Sequence, residues 1–483
     1  VTTTYNLFGI GQQSKSSNLT AQHRLNMYLE VQAYDDKTAV AAVNTPGLES
    51  FSSPGTTPSR GMYYMESVNT CISAHGDGVY VIGYDGSSEL RLTLTSGDDT
   101  GYISFADNGV ELCMFTGARA YIYNTTTLVL TDISSLLPWV TIPGTDPAGW
   151  NVIFLDGRFI ATRINTGQFY YSGLYDGLTW GALDFATAES TPDNLLAIAS
   201  DHGNLVLLGT QSIELWNNTG DNQFSFGKIN AAPTEAGLAA RWSLSKIKGS
   251  VVGLFRDRSG TLSVNVLQGY NLEPISTADI DYIFNNYTLV DNAVGFAYVL
   301  NGFSFYQITF PNEIATWLYS FDSKSWSQLK SYGYDRHIGN FAVAFRNKLI
   351  FSSFNSNALY RVDTDIYTDN GTLIEREITG AHSFSPSQNY LSISRLRLDL
   401  EGGVGLTSGQ GDNPEIMLSI SRDRGHTWGN ELRTTIGRLG DYMHRAEWRR
   451  LGIARDWVFK IRITDSVKCV IIGAAIEAKE LNK

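Results

Sequence analysis

A turn dipeptide followed by a short apolar strand recurs along most of this chain, and that repeat limits the fold more than any other feature. The turns are Asp77-Gly78, Asn108-Gly109, Asp156-Gly157, His202-Gly203, Lys248-Gly249, Asn301-Gly302 and Arg346-Asn347. The strands after them open at Val79 (VYVIGY), Val110 (VELCMF), Arg158 (RFIAT), Asn204 (NLVLLG), Ser250 (SVVGLF), Phe303 (FSFYQI) and Lys348 (KLIFSS). Successive turns lie 31, 48, 46, 46, 53 and 45 residues apart. A second run follows in most units: AYIYN from Ala120, FYYS from Phe169, IELW from Ile213, TWLYSF from Thr316 and ALYRV from Ala358. These runs favour β-branched and aromatic residues, which suit a pleated surface. One such unit cannot bury both its faces, whereas a ring of them can. A period of about 45 residues with two or more strands per unit therefore predicts an all-β chain built on a β-propeller of six or seven blades. The propeller is expected over residues 71–375. The short first interval predicts a first blade that is incomplete or closed by an N-terminal strand.

The flanks have a different rhythm. Residues 1–70 are rich in Ser, Thr, Gly and Pro, with turn signals at Pro46-Gly47 and Pro54-Gly55, and are expected to be an N-terminal arm with lead-in strands. After residue 375, LSISRLRLDL from Leu391, IMLSIS from Ile416 and VFKIRI from Val458 alternate apolar and polar residues. Each predicts a strand with one wet and one buried face, giving a C-terminal β-sandwich-like domain over 376–483. One helix is expected inside the propeller, capped by Thr277, with Ile280, Ile283, Phe284 and Tyr287 at helical spacing.

At 483 residues, with 46 Gly and 12% aromatic residues, the chain exceeds one ordinary core and suits a large array with tight turns. Charge is segregated. Residues 375–483 carry 16 Lys+Arg and 14 Asp+Glu, leaving 20 and 34 in residues 1–374. The acidic body argues against gripping nucleic-acid phosphates, and the split suggests two surfaces with different partners. Cys71, Cys113 and Cys469 are widely spaced, which predicts buried reduced thiols in a protein assembled in a reducing cytoplasm rather than a disulfide or zinc framework. The opening, Val1 to Tyr5, has no signal-peptide pattern, and no window has the run of about 18 apolar residues of a membrane helix. No membrane insertion is expected. A small first residue is compatible with removal of an initiator Met.

The sharpest local motif is Ser421-Arg422-Asp423-Arg424-Gly425-His426-Thr427-Trp428. It fits the S-x-D-x-G-x-T-W Asp-box pattern of sialidase propellers. Its physics is structural: Asp423 caps a tight hairpin, Gly425 takes the strained φ, and Trp428 packs beneath. Asp176-Gly177-Leu178-Thr179-Trp180 is a looser relative. A sialidase would also need convergent Arg residues, a Tyr nucleophile and an acidic partner, and no spacing singles these out. His23, His75, His202, His337, His382, His426 and His444 are scattered without HxH or HExxH spacing, so isolated surface or turn histidines are expected. Gly9 and Gly11 open no strand–helix unit and mark a loop. Phe169, Tyr170 and Tyr171 could stack sugars or bases, but at strand spacing they suit a blade core. No catalytic, cofactor-binding or metal-binding residue is expected.

Arg438, Arg445, Arg449, Arg450 and Arg455 lie close together, interleaved with Tyr442, Trp448 and Trp457. This is a candidate docking patch, because Arg and aromatics dominate interface hot spots. A solvated face paired to Asp441, Glu447 and Asp456 is the plainer alternative, and both stay open.

The order of these features resembles the packaged-DNA stabilization, tail hub or nozzle, family of short-tailed bacteriophages (podoviruses). The matching fragments are Gly9 and Gly11; Asn26-Met27-Tyr28; Thr45-Pro46-Gly47-Leu48; Arg60-Gly61; Ser212-Ile213-Glu214-Leu215-Trp216; Ile275 and Thr277 with Ile280; Thr309 and Pro311; Thr316-Trp317-Leu318-Tyr319 and Trp326; Ser421, Asp423 and Gly425; and Trp448-Arg449-Arg450-Leu451-Gly452. Each is weak alone, and their order along most of the chain carries the resemblance. It implies a homo-oligomeric ring, a hexamer, in the virion tail below the portal and adaptor. Such a ring retains packaged DNA, lines its exit channel without tight binding, takes part in ejection and receives tailspikes, fibres or a needle. It implies no enzyme activity. A carbohydrate-binding or sialidase-like propeller is the alternative function.

Overall fold

The computed structural model describes residues 2–5, 7–9, 11–12, 15–31, 40–188, 192–221, 225–229, 235–269 and 271–481. Strands from Gly47–Ser52 to Leu359–Asp363 build a seven-bladed propeller. Blade 1 comprises Ser59–Met65, Thr70–His75, Gly78–Ile82 and Ser88–Thr93, and blades 2 to 4 repeat this four-stranded antiparallel meander from Ser104, Val152 and Leu195. In blade 5 the inner strand is split into Ala236–Leu238 and Ser245–Ile247, both paired with Ser250–Asp257. Blade 6 runs from Val294 to Leu329. Blade 7 takes three strands from Gly339–Phe345, Lys348–Ser353 and Leu359–Asp363, and its outer strand, Gly47–Ser52, from the other end of the chain. The inner strand of blade 7 packs on Ser59–Met65 of blade 1, which completes the ring.

The turn dipeptides explain the local structure. Asp156, His202, Lys248 and Asn301 have φ of 50°, 47°, 49° and 49°, each followed by a glycine with positive φ. Two successive positive φ values define the hairpin turn whose twist matches its strands, and six of the seven predicted turns join the first and second strands of a blade. Asp77-Gly78 instead adjoins the second-to-third hairpin of blade 1, whose own first hairpin turns through 66–69 with Asn69 at φ 53°. That turn has no glycine, so the repeat skipped it and the first interval came out short. Blade 1 is complete; the strand borrowed from the N-terminal side belongs to blade 7.

The boundary at 70 needs correction for the same reason, whereas the change from blade 7 to the sandwich falls between Leu373 and Arg376. Gly47–Ser52 and Ser59–Met65 lie in propeller sheets, and earlier strands lie in the sandwich. One sandwich sheet contains Met27–Val31, Val40–Asn44, Val470–Leu481, Tyr390–Leu400 and Ala446–Ala454, with Thr2–Tyr5 added to Val470–Leu481. The facing sheet contains His23–Leu25, Arg376–Thr379, Asp456–Ile463, Glu415–Ser421 and Leu432–Thr435. Tyr5, Leu7, Met27 and Leu29 share one core with Leu396, Leu418, Phe459 and Ile461. The N-terminal segment is thus a structural part of the sandwich rather than an arm, because its apolar residues complete the core.

His23–Leu25 also joins the domains. It pairs with Arg376–Thr379 on one side and meets blade 6 through Leu25 and Gln328 on the other. Arg24, almost fully buried, donates to the carbonyls of Gly9 and Trp326. Asn26, at φ 51°, donates to the carbonyls of Lys330 and Glu375 at 2.9 and 2.8 Å. Buried polar groups need such partners, and here the partners lie on both domains.

The predicted helix is Ala278–Asn285, with Ile280 and Phe284 fully buried. Thr277 occupies the N-cap position, but its side chain makes no capping hydrogen bond.

Candidate functional site: closed axis and assembly surfaces

Aromatic side chains meet across the propeller at the end where one blade links to the next. Tyr102 immediately precedes the inner strands of blade 2, and Trp242 lies in the break of the inner strand of blade 5. They reach across the ring and meet edge to face, with centroids 5.4 Å apart. Phe341 on blade 7 packs against the other side of Tyr102 at 4.9 Å. Beside them Arg241 lies 4.6 Å over Trp150, and Tyr102, Trp150, Arg241 and Trp242 help line a cavity of about 390 Å³ with Asp291 and Asn292. Residues at strand entries point toward the axis because the inner strands run along it. Sequence reading passed over Tyr102, Trp150 and Trp242; the available signal was their recurrence just before inner strands. This aromatic plug spans the ring from blade 2 to blades 5 and 7.

The Asp-box segment forms the turn after Glu415–Ser421, in the sandwich rather than in a blade. Asp423 accepts from the Thr427 amide and hydroxyl at 2.9 and 2.6 Å and from the Ser421 hydroxyl at 2.7 Å. These bonds stabilise the carboxylate and hold its pKa at about 2. Gly425 takes φ 87° and donates its amide to Ser421. Trp428 does not pack beneath the turn: it is half-exposed, with the Lys460 ammonium 4.5 Å over its ring. In Asp176–Trp180 the same logic operates inside blade 3. Thr179 donates to Asp176 at 2.6 Å, Trp180 is buried and donates to the Gly177 carbonyl, and the Gly177 amide reaches Glu111 of blade 2 at 2.9 Å. Phe169, Tyr170 and Tyr171 are buried between blades.

The Arg–aromatic cluster separates into two groups. Trp448 and Trp457 belong to the sandwich core, their indole N–H groups donating to the carbonyls of Leu432 and Leu391. They cannot form part of a surface patch. Arg438, Tyr442, Arg445, Arg449, Arg450 and Arg455 are exposed. A bulge in Ala446–Ala454, marked by Arg450 at φ 60° and a register shift opposite it, turns both Arg449 and Arg450 outward. Arg449 pairs with Glu447, and Arg455 lies 4.7 Å over Tyr390. Asp441 pairs with His444, and Asp456 with His382 and Arg424.

Two histidines depart from the expectation of surface positions. His75 and His337 are buried, and burial pushes the His337 pKa down to about 4. Among the described residues no group of three or more His, Cys, Asp or Glu could hold a metal ion, and no helix is long and apolar enough to cross a membrane. The three thiols are buried and unpaired with one another.

Two family models match this chain in tandem: bacteriophage P22 Gp10, beta-propeller, over residues 5–367, and bacteriophage P22 Gp10, beta-sandwich, over residues 379–479. The tail hub protein gp10 of Salmonella phage P22 is 22% identical over 298 residues, covering 60% of this chain and 61% of that protein. The match therefore spans less than two thirds of the relative. Among solved structures, virginiamycin B lyase from Staphylococcus aureus is 10% identical with a TM-score of 0.42, covering 63% of this chain and 94% of that chain. A chain of the mitotic checkpoint complex is 12% identical with a TM-score of 0.42, covering 69% and 95%. With both family models matched in order across most of its length, the chain belongs to the bacteriophage P22 Gp10 family of β-propeller and β-sandwich proteins.

Proposed function

We propose that this chain is a structural subunit of a phage tail hub: a homohexameric ring in the virion tail, mounted below portal and adaptor. In this reading the ring retains packaged DNA, lines its exit path during ejection, and receives tailspikes, fibres or a needle. The observation that carries the reading is the propeller–sandwich pair, matched in order to a family whose relative in phage P22 is a tail hub. The role is mechanical, with no enzyme activity. A closed ring joined to a sandwich by one continuous sheet has few low-energy ways to open.

The aromatic plug across the propeller axis adds a constraint. DNA leaving the capsid passes between subunits, along the axis of the ring they form together. Acidic side chains of the propeller facing that path would repel phosphate and let DNA pass without adhering.

Immunogold microscopy of purified particles tests the assignment. Label on the tail, together with loss of DNA from particles lacking the chain, is the expected result. Label on the capsid, or particles that lack the chain and still retain DNA and infect, would overturn it.

A further inference from the structure

We propose that the loop 437–445 on the sandwich of one subunit docks on the turn face of blades 1–3 of the next copy, so that subunits associate head to tail. The inference rests on the hub reading and adds which surfaces meet.

The loop joins Leu432–Thr435 to Ala446–Ala454. Gly437 and Gly440 take φ of 97° and 84°, the Asp441 amide donates to the Arg438 carbonyl, and the Gly440 amide donates to the Gly403 carbonyl. The Tyr442 ring lies so close to Gly403 that a Cβ there would be 2.6 Å from it. The loop is therefore braced, yet it presents Leu439, Tyr442 and Met443 at 58%, 75% and 83% exposure. Arg438 and Arg445 flank them, exposed and without an ion pair among the described residues. Exposed apolar tips beside unpaired arginines have the composition of an interface centre.

The complementary surface lies on the propeller. The face with the first-to-second and third-to-fourth turns of blades 1–3 exposes Val68, Leu128, Leu174 and Tyr175. Hydrogen bonds tie the turns together: Ser67 donates to the Gly109 carbonyl at 2.8 Å, and the Tyr175 amide to the Gly157 carbonyl at 2.6 Å. Val68 and Leu128 rim a cavity of about 180 Å³ between blades 1 and 2. Glu66 and Asp156 are exposed on these turns, neither in an ion pair among the described residues.

One surface is apolar with unpaired acids, and the other apolar with unpaired arginines. A single chain cannot bring them together. The sandwich is joined to blade 6, and blades 2 and 3 lie across the ring from it. Two different surfaces that meet between identical subunits make a head-to-tail contact, which closes into a ring when its rotation permits. The occupant favoured by this charge pattern is a second copy.

Two sets of variants test the contact. In the first, the full chain carries Leu174→Cys and Met443→Cys together. The three native thiols are buried, and burial pushes those of Cys71 and Cys469 up to about 12 and 11, so they contribute little background. Oxidation of assembled tails should give a covalent ladder of subunits, while either single substitution should not. In the second, Arg438→Glu with Arg445→Glu should weaken self-association about tenfold or more, and a chain bearing Glu66→Lys with Asp156→Lys should restore it on mixing. Tails that assemble normally with no ladder and no response to charge reversal would overturn this contact and leave the hub reading intact. Absence of the chain from purified tails would remove the hub reading itself.

Discussion

Leu48 pairs with Val362 across more than three hundred residues of chain, and this pairing supplies the outer strand that closes blade 7. Leu48 is 1% exposed and packs in the core formed with blade 6. Leu48→Ala should lower stability by about 2–5 kcal/mol through lost burial and a residual cavity. Deletion of 47–52 should do more, leaving an unpaired edge that promotes aggregation. Thermal unfolding and light scattering measure both. A deletion variant that keeps the parent melting temperature without aggregating would show that the closure strand is dispensable.

Two neighbouring members of the Arg–aromatic cluster should behave oppositely. Trp457 is fully buried in the sandwich, so Trp457→Ala is expected to cost about 3–5 kcal/mol. Arg455 is exposed, and Arg455→Ala should change stability by less than about 0.5 kcal/mol. Urea denaturation compares them. Similar midpoints for the two variants would contradict the core assignment of Trp457.

The carboxyl of Asp369 is buried at the junction of blade 7 and the sandwich, and burial raises its pKa to about 6, although Ser331 and Arg376 oppose the shift. The folded state therefore holds this proton more tightly than the unfolded chain does. Its contribution becomes less favourable as pH rises from the ordinary Asp range through about 6. Asp369→Asn should be more stable than the parent at neutral pH, by on the order of 2 kcal/mol, with the advantage disappearing near pH 4. Chemical denaturation across that range measures the difference. An advantage independent of pH would remove titration as its cause.

Trp242→Ala should open the aromatic plug by removing the partner of Tyr102, at a cost of about 1–2 kcal/mol. If DNA passes between subunits as proposed, DNA retention by assembled particles should not change. Nuclease accessibility of packaged DNA reads this out, and leakage confined to this variant would place the propeller axis on the DNA path.

Much of the blade pattern was legible because a hairpin with two positive φ values needs a restricted set of residues. The Asp156-Gly157 and Asn301-Gly302 pairs announce their turns locally. The turn at 66–69 has no glycine and gave no such signal. In the sandwich, alternation placed the strands opening near Leu391, Ile416 and Val458. The same alternation carried the information that Trp448 faces inward with Ala446, but the density of arginines around it drew attention to the surface instead.

Periodicity, turn chemistry and charge segregation are properties of neighbouring residues, so the sequence by itself determined the all-β class, the ring of repeated units and the acidic body. Tertiary structure decided which strand closes the ring, that Tyr5, Met27 and Leu29 complete the sandwich core, and that Tyr102 and Trp242 meet across the axis. Those pairings join residues far apart along the chain, and buried surface and hydrogen-bond satisfaction select them only once every sheet is in place.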